Sequence, residues 1–140
     1  MIIERELILD VPPENIYQDM CDVDFFNKVL DTGRRLNIVY KQDRVISYEL
    51  DIKGVGKWVS QRIMLPEKLM FITERKNPLE PFEYMIILNI YEKHGNGTKF
   101  IYKEEFKVNK NNEEKTGEIF KKISGIIDRN MKTLKEYYGI

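Results

Sequence analysis

Alternate residues in 56–64 bring together one arginine and the side chains best placed to accompany it. The run Gly56-Lys57-Trp58-Val59-Ser60-Gln61-Arg62-Ile63-Met64 reads as a strand, so Trp58, Ser60, Arg62 and Met64 share one face. A face holding Trp and Met reads as an interior, and it carries Arg62 inward. A guanidinium there needs an anion, a carboxylate partner or a ligand oxygen, because an unpaired buried charge is costly. The other reading slips the register by one residue and leaves Arg62 solvated at a sheet edge.

A second strand, 98–108, sets Phe100, Tyr102, Glu104, Phe106 and Val108 on one face, opposite Lys99, Lys103, Glu105 and Lys107. Glu104 is expected inside, among aromatic rings. It is then either the internal partner of Arg62 or a general acid/base with a raised pKa. The strand 44–52 alternates Ile46, Tyr48, Leu50 and Ile52 on its inward face. Tyr48 and Tyr102 are candidate phenol donors to a carbonyl oxygen, although a buried tyrosine more commonly fills space and satisfies one polar group.

Other chemistries are poorly served. The single cysteine, Cys21, cannot form an internal disulfide, and no Cys/His zinc spacing occurs. The single histidine, His94, lies in the turn-like run His94-Gly95-Asn96-Gly97, which argues against a multi-histidine metal site and a histidine-based nucleophile. No metal or organic cofactor is expected. Lys+Arg and Asp+Glu are both 23, which argues against a nucleic-acid partner. Acidic and basic residues interrupt the first 20, and no apolar run approaches the ~20 residues of a membrane span. The expectation is a soluble, cytoplasmic protein.

These side chains need a frame. The 140 residues are 42% hydrophobic and 11% aromatic, enough for one domain, 1–140, with a ring-rich core. Residues 2–10 read as a strand. Pro12-Pro13-Glu14 suits a helix start, and a short helix runs from there to about Met20. Asp22 can cap a second short helix, which carries Val23, Phe25, Phe26, Val29 and Leu30 and ends at Gly33. Met20, Phe25 and Phe26 belong either to the core or to a pocket mouth.

Turn chemistry then divides the chain at Lys41-Gln42-Asp43, Lys53-Gly54-Val55-Gly56, Pro66-Glu67-Lys68, 77–81 and His94-Gly95-Asn96-Gly97. The strands between are 34–41, 44–52, 57–64, 69–76, 83–93 and 98–108, with Asn96-Gly97 as a hairpin signal. From Ile119 the period changes to a helical stripe of Phe120, Ile123, Ile126, Ile127, Met131, Leu134 and Tyr138. Asn111 with Glu114 resembles a capping box, and Gly139 supplies the stop, predicting a helix over 112–138. Asn130 lies on or beside the apolar stripe, available to a cavity or to a structural hydrogen bond. A sheet wrapped round such a helix leaves space between them.

This layout resembles the helix-grip fold of the START/Bet v 1-like (SRPBCC) superfamily over essentially the whole chain. Val11-Pro12-Pro13-Glu14-Asn15-Ile16-Tyr17 resembles the start of that fold's first helix, and Asp22-Val23-Asp24-Phe25-Phe26 its second. Within it, three segments are similar to strands of bacterial aromatic polyketide aromatase/cyclases. They are Trp58-Val59-Ser60-Gln61-Arg62, Pro81-Phe82-Glu83-Tyr84-Met85, and Gly97-Thr98-Lys99-Phe100-Ile101-Tyr102-Lys103-Glu104-Glu105-Phe106.

The resemblance implies an α+β fold: a seven-stranded antiparallel sheet round a long C-terminal helix, two short helices after the first strand, and a central cavity. It also implies that Arg62 holds or polarises a substrate carbonyl. It places Met85 and Tyr91 inward, with Ile87 and Asn89 on their face, and Ile86, Leu88 and Ile90 outward as a homodimer or partner surface. The family usually carries an amide where Glu104 stands, and often Trp where Asn89 stands.

The expected function is binding of a hydrophobic, aromatic or polyketide-like small molecule, with possible aldol cyclisation and dehydration. Arg62, Glu104, Tyr48 and Tyr102 are the catalytic candidates. Trp58, Ser60, Met64, Met85, Ile87, Asn89, Phe100, Phe106 and Asn130 are the ligand-binding candidates. The alternative is a non-catalytic carrier or sensor of a lipid, quinone or other hydrophobic ligand, since a fold does not determine a function.

Overall fold

The computed structural model describes residues 1–30, 34–52 and 56–139. Gly33, expected to end the second helix, and Lys53, Gly54 and Val55 of an expected turn lie outside those residues, as does the Phe26 side chain. The strands are β1 (Ile2–Leu9), β2 (Arg34–Gln42), β3 (Val45–Ile52), β4 (Gly56–Leu65), β5 (Met70–Asn77), β6 (Phe82–His94) and β7 (Gly97–Val108). They form one antiparallel sheet in the order β1-β7-β6-β5-β4-β3-β2. Helices α1 (Pro13–Cys21) and α2 (Val23–Leu30) follow β1, and α3 (Thr116–Tyr137) follows β7.

Local chemistry accounts for most boundaries. Pro13 opens α1, where its missing N–H costs nothing, and Glu14 in the first turn suits the positive helix end. Asp22 separates the two short helices. Its Oδ1 accepts hydrogen bonds from the Asp24 and Phe25 amides at 3.0 and 3.4 Å, capping α2 as expected. At the far end of α3, Gly139 takes φ 73° and its amide reaches the Glu136 carbonyl, giving the expected stop.

Two expected boundaries move. The β6–β7 hairpin turns on Gly95-Asn96, not Asn96-Gly97, because His94 pairs with Gly97 in the ladder. Gly95 supplies the left-handed φ of 59°. Gly97 is needed for a different reason: a Cβ there would run into the Leu9 carbonyl oxygen. The glycine lets the end of β1 come close to β7, and Thr98 then donates to the Val11 carbonyl at 2.6 Å.

The long helix begins at Thr116, after a 3-10 segment at Lys110–Lys115, so the Asn111/Glu114 box does not form the helix start. Instead, Asn109 and Asn112 donate to the Glu80 carboxylate at 2.6 and 3.1 Å. These bonds hold the segment against the β5–β6 connection and delay the helix. The 22 residues of α3 span ~33 Å.

The concave face of the sheet is filled at both ends. At one end, Leu9, Ile16, Tyr17, Met20, Phe71, Tyr91, Phe100 and Leu134 pack together, with Tyr91 and Phe100 stacked at 4.8 Å and 4°. At the other, Ile3, Phe82, Met85, Phe106, Val108 and Ile127 form a second cluster. On the convex face Ile86, Leu88 and Ile90 are half-buried, with Leu88 opposite Ile72 and Ile90 between Met70 and Ile101.

The close approach at Gly97 predicts that Gly97→Ala forces β1 away from β7. The expected loss is about 2 kcal/mol, the scale of overpacking a tight site. Equilibrium urea unfolding checks it, and an unchanged midpoint would contradict the contact.

Candidate functional site

Between the two packed ends lies a cavity of about 540 Å³. That is within the ~300–1,000 Å³ of small-molecule pockets. Strands β2 to β7 form its floor, while α3 covers it with Ile119, Ile123, Ile126, Ile127 and Asn130. Val23, Asn27 and Leu30 of α2 close one side, and the segment Pro78, Glu80, Pro81 and Phe82 closes another.

The alternation of β4 carries Trp58, Ser60 and Arg62 into the lining, and that of β7 carries Tyr102 and Glu104. Tyr48, Met85, Ile87, Asn89 and Asn130 also line the cavity. Met64, Phe100 and Phe106 are corrections to the expected lining. They sit nearer the ends of their strands, where the core clusters take up the space. Phe106 is completely buried there.

Arg62 is 3% exposed. Its Nη1 donates to the Met20 carbonyl at 2.9 Å, and its guanidinium lies 4.1 Å from the centre of the Phe71 ring. Met20 belongs to the last turn of α1, whose carbonyls lack partners within the helix. That turn has no basic residue of its own, so Arg62 supplies the positive charge from across the sheet.

Arg75 also acts on Glu104 through its charge, a neighbour that the expected Arg62–Glu104 pair leaves out. Arg75 lies on β5, on the same face as Phe71 and Thr73. Its Nε donates to the Pro78 carbonyl at 2.9 Å and its Nη2 to the Glu80 carbonyl at 3.3 Å. The guanidinium rests 3.8 Å from the centre of the Trp58 ring and 5.4 Å from that of Phe82. Arg75 and Thr73 share the alternation of β5 with Phe71, and that period is the sequence signal that turns them inward.

Glu104 is 4% exposed. Tyr102 donates its hydroxyl to Glu104 Oε1 at 2.7 Å, whereas Oε2 is buried without a hydrogen-bond partner among the described residues. Burial pushes the carboxyl pKa above its ordinary value, against the smaller lowering influences of the Tyr102 hydrogen bond and the Arg75 charge. Burial likewise lowers the Arg75 pKa, opposed by Glu104. Asn89 Nδ2 points to the Tyr91 hydroxyl at 3.5 Å, a long contact.

No protein-family model matches the sequence, and no curated protein matches it. Solved structures do. Protein TTHA0849 from Thermus thermophilus superposes with a TM-score of 0.81 at 15% identity, over 99% of this chain and 97% of that one. The chain has the helix-grip fold. Zhui aromatase/cyclase from Streptomyces sp. R1128 shares it with a TM-score of 0.79 at 11% identity, over 99% of this chain and 90% of that one. So does Ara h 8.0201, with 0.70 at 13% over 99% and 97%. At such identities the helix-grip likeness concerns the fold. No helix of the described residues is long and apolar enough to cross a membrane.

The raised Glu104 pKa gives a pH signature. The folded protein holds this proton more tightly than the unfolded chain does. Wild-type stability therefore falls as pH rises from the ordinary value of 4.5 toward the raised one. Glu104→Gln cannot ionise and lacks this contribution, so it should gain on wild type across that window. Urea unfolding from about pH 4 to pH 8 measures the difference; a pH-independent difference would contradict a dehydrated carboxyl.

Proposed function

We propose that residues 1–140 form one START/Bet v 1-like domain that binds a hydrophobic, aromatic or polyketide-like small molecule in the cavity. In this reading it works in the cytoplasm and promotes aldol cyclisation and dehydration of its ligand. The observation that carries the proposal is the cavity itself, apolar on most sides and supplied with converging polar groups from β3, β4, β5 and β7.

The reaction needs little machinery. A cavity that folds a flexible poly-β-ketone brings its reacting carbons together, which removes much of the entropic barrier. Glu104 takes a proton from the methylene between two carbonyls, and the resulting enolate carbon attacks a second carbonyl carbon. Arg62 stabilises the developing oxyanion, with Tyr48 or Tyr102 donating to it. The alkoxide then takes up a proton, and loss of the neighbouring C–H and the hydroxyl as water forms the double bond.

A second reading is a non-catalytic carrier, and one observation favours it. Arg62 and Arg75 already donate to main-chain carbonyls, and Tyr102 to Glu104, so these donors have structural work.

Trp58 is the single tryptophan and lines the cavity, so its fluorescence reports occupancy directly. Titration with 1,8-dihydroxyanthraquinone should quench it saturably. Ile123→Phe, which adds bulk from α3 into the cavity, should weaken binding about tenfold while preserving the circular dichroism spectrum. Absence of saturable quenching would sink the binding proposal. Binding without water loss from a linear poly-β-ketone thioester, followed by mass spectrometry, would move the assignment to the carrier.

A further inference from the structure

A second, smaller space lies beside the main cavity. Its volume is about 20 Å³, enough for one water, which needs ~10–15 Å³, and too little for a ring. Aliphatic and aromatic side chains make most of its wall, and its polar members are Asn89 from β6, Tyr102 from β7 and Asn130 from α3. These three residues also line the main cavity, so the two spaces adjoin. A chamber this small sets the Asn89 and Asn130 carboxamides close together, one from the sheet and one from the helix.

A carboxamide offers two N–H donors and a carbonyl acceptor. Asn89 is 2% exposed, yet its side chain makes one long contact among the described residues, from Nδ2 to the Tyr91 hydroxyl at 3.5 Å. Asn130 is half-buried and makes no side-chain hydrogen bond among the described residues. Polar groups turned away from solvent without partners are unfavourable, and an oxygen atom brought into the chamber relieves them. The surroundings decide which oxygen. None of the described residues lining the chamber is charged, so a carboxylate or phosphate finds no counter-charge there. The volume admits one oxygen and not the body of a ligand.

We propose that Asn89 and Asn130 form a subsite for a single uncharged oxygen, a carbonyl or hydroxyl, of a ligand whose apolar body fills the main cavity. The ligand oxygen takes the place of a water and fixes which end of the ligand lies under α3. This rests on the proposed binding of a hydrophobic small molecule and needs no catalytic step. It is a polar point separate from Arg62 and Arg75, neither of which lines the small chamber.

The test uses three probes of nearly one shape: 2-acetylnaphthalene, 1-(2-naphthyl)ethanol and 2-isopropenylnaphthalene, in which a CH₂ replaces the oxygen. Isothermal titration calorimetry gives their affinities for wild type and for Asn130→Leu, a change close to isosteric. The variant should lose about tenfold in affinity for at least one oxygen probe relative to the hydrocarbon, the scale of one hydrogen bond. Asn89→Leu should act in the same direction from the sheet side; if it does not fold, Asn130→Leu decides the matter. A second readout is the urea midpoint of ligand-free Asn130→Leu. It should equal or exceed that of wild type, because no bond within the protein is lost. A lower midpoint, or probes whose relative affinities do not change in the folded variant, overturns the inference while leaving the binding cavity standing. Failure of all three probes to bind wild type overturns it together with the proposed function.

Discussion

Two guanidinium groups are drawn inside the curve of the sheet, and each is held by main-chain carbonyls. Arg62 reaches the end of α1 through the Met20 carbonyl, while Arg75 reaches the β5–β6 connection through the carbonyls of Pro78 and Glu80. A charge so placed must be hydrogen-bonded, because the interior offers no water to replace the bonds. The positions of a helix end and of a rim segment are therefore tied to side chains on adjacent strands. The aromatic rings beneath the two cations, Phe71 and Trp58, complete the attachment.

Those attachments explain why the space between sheet and helix stays open. Helix α3 meets the sheet at both ends, through Leu134 at one and Ile127 at the other. Beside these contacts Ile119, Ile123, Ile126 and Asn130 of the helix line the cavity. The polar members of the lining are not stray hydrophilic residues. They fasten the walls, as with Arg75, or meet one another, as with Tyr102 and Glu104.

Period and turn chemistry make the architecture readable in the sequence. Alternation in β4 and β7 carried Arg62 and Glu104 inward, and the helical stripe announced α3. What escaped that reading depends on distance through space. Nothing local says that Arg75 acts on Glu104, because that depends on how β5, β6 and β7 are staggered. Alternation also cannot tell a cavity wall from a packed core. Phe100, Phe106 and Met64 obey the same period as Tyr102, Glu104 and Arg62, and differ only in how far along the sheet they fall. The start of α3 was displaced for a similar reason: Asn109 and Asn112 answer to Glu80, some 30 residues earlier in the chain.

The stacked and tilted rings of Tyr17, Phe71, Tyr91 and Phe100 make one end of the molecule solid, the cluster round Phe82 and Phe106 fills the other, and the cavity lies between them. The domain thus has a division of labour along its length. Cohesion is concentrated in the two packed ends, which leaves residues of the hollow middle such as Ile87, Ile123 and Ile126 freer to change size without dissolving the whole. A lineage built this way can trade one guest molecule for another by reshaping a few walls, its scaffold insulated from the exchange. The same partition marks where a designer would carve a new pocket shape, and where a chisel should stay away.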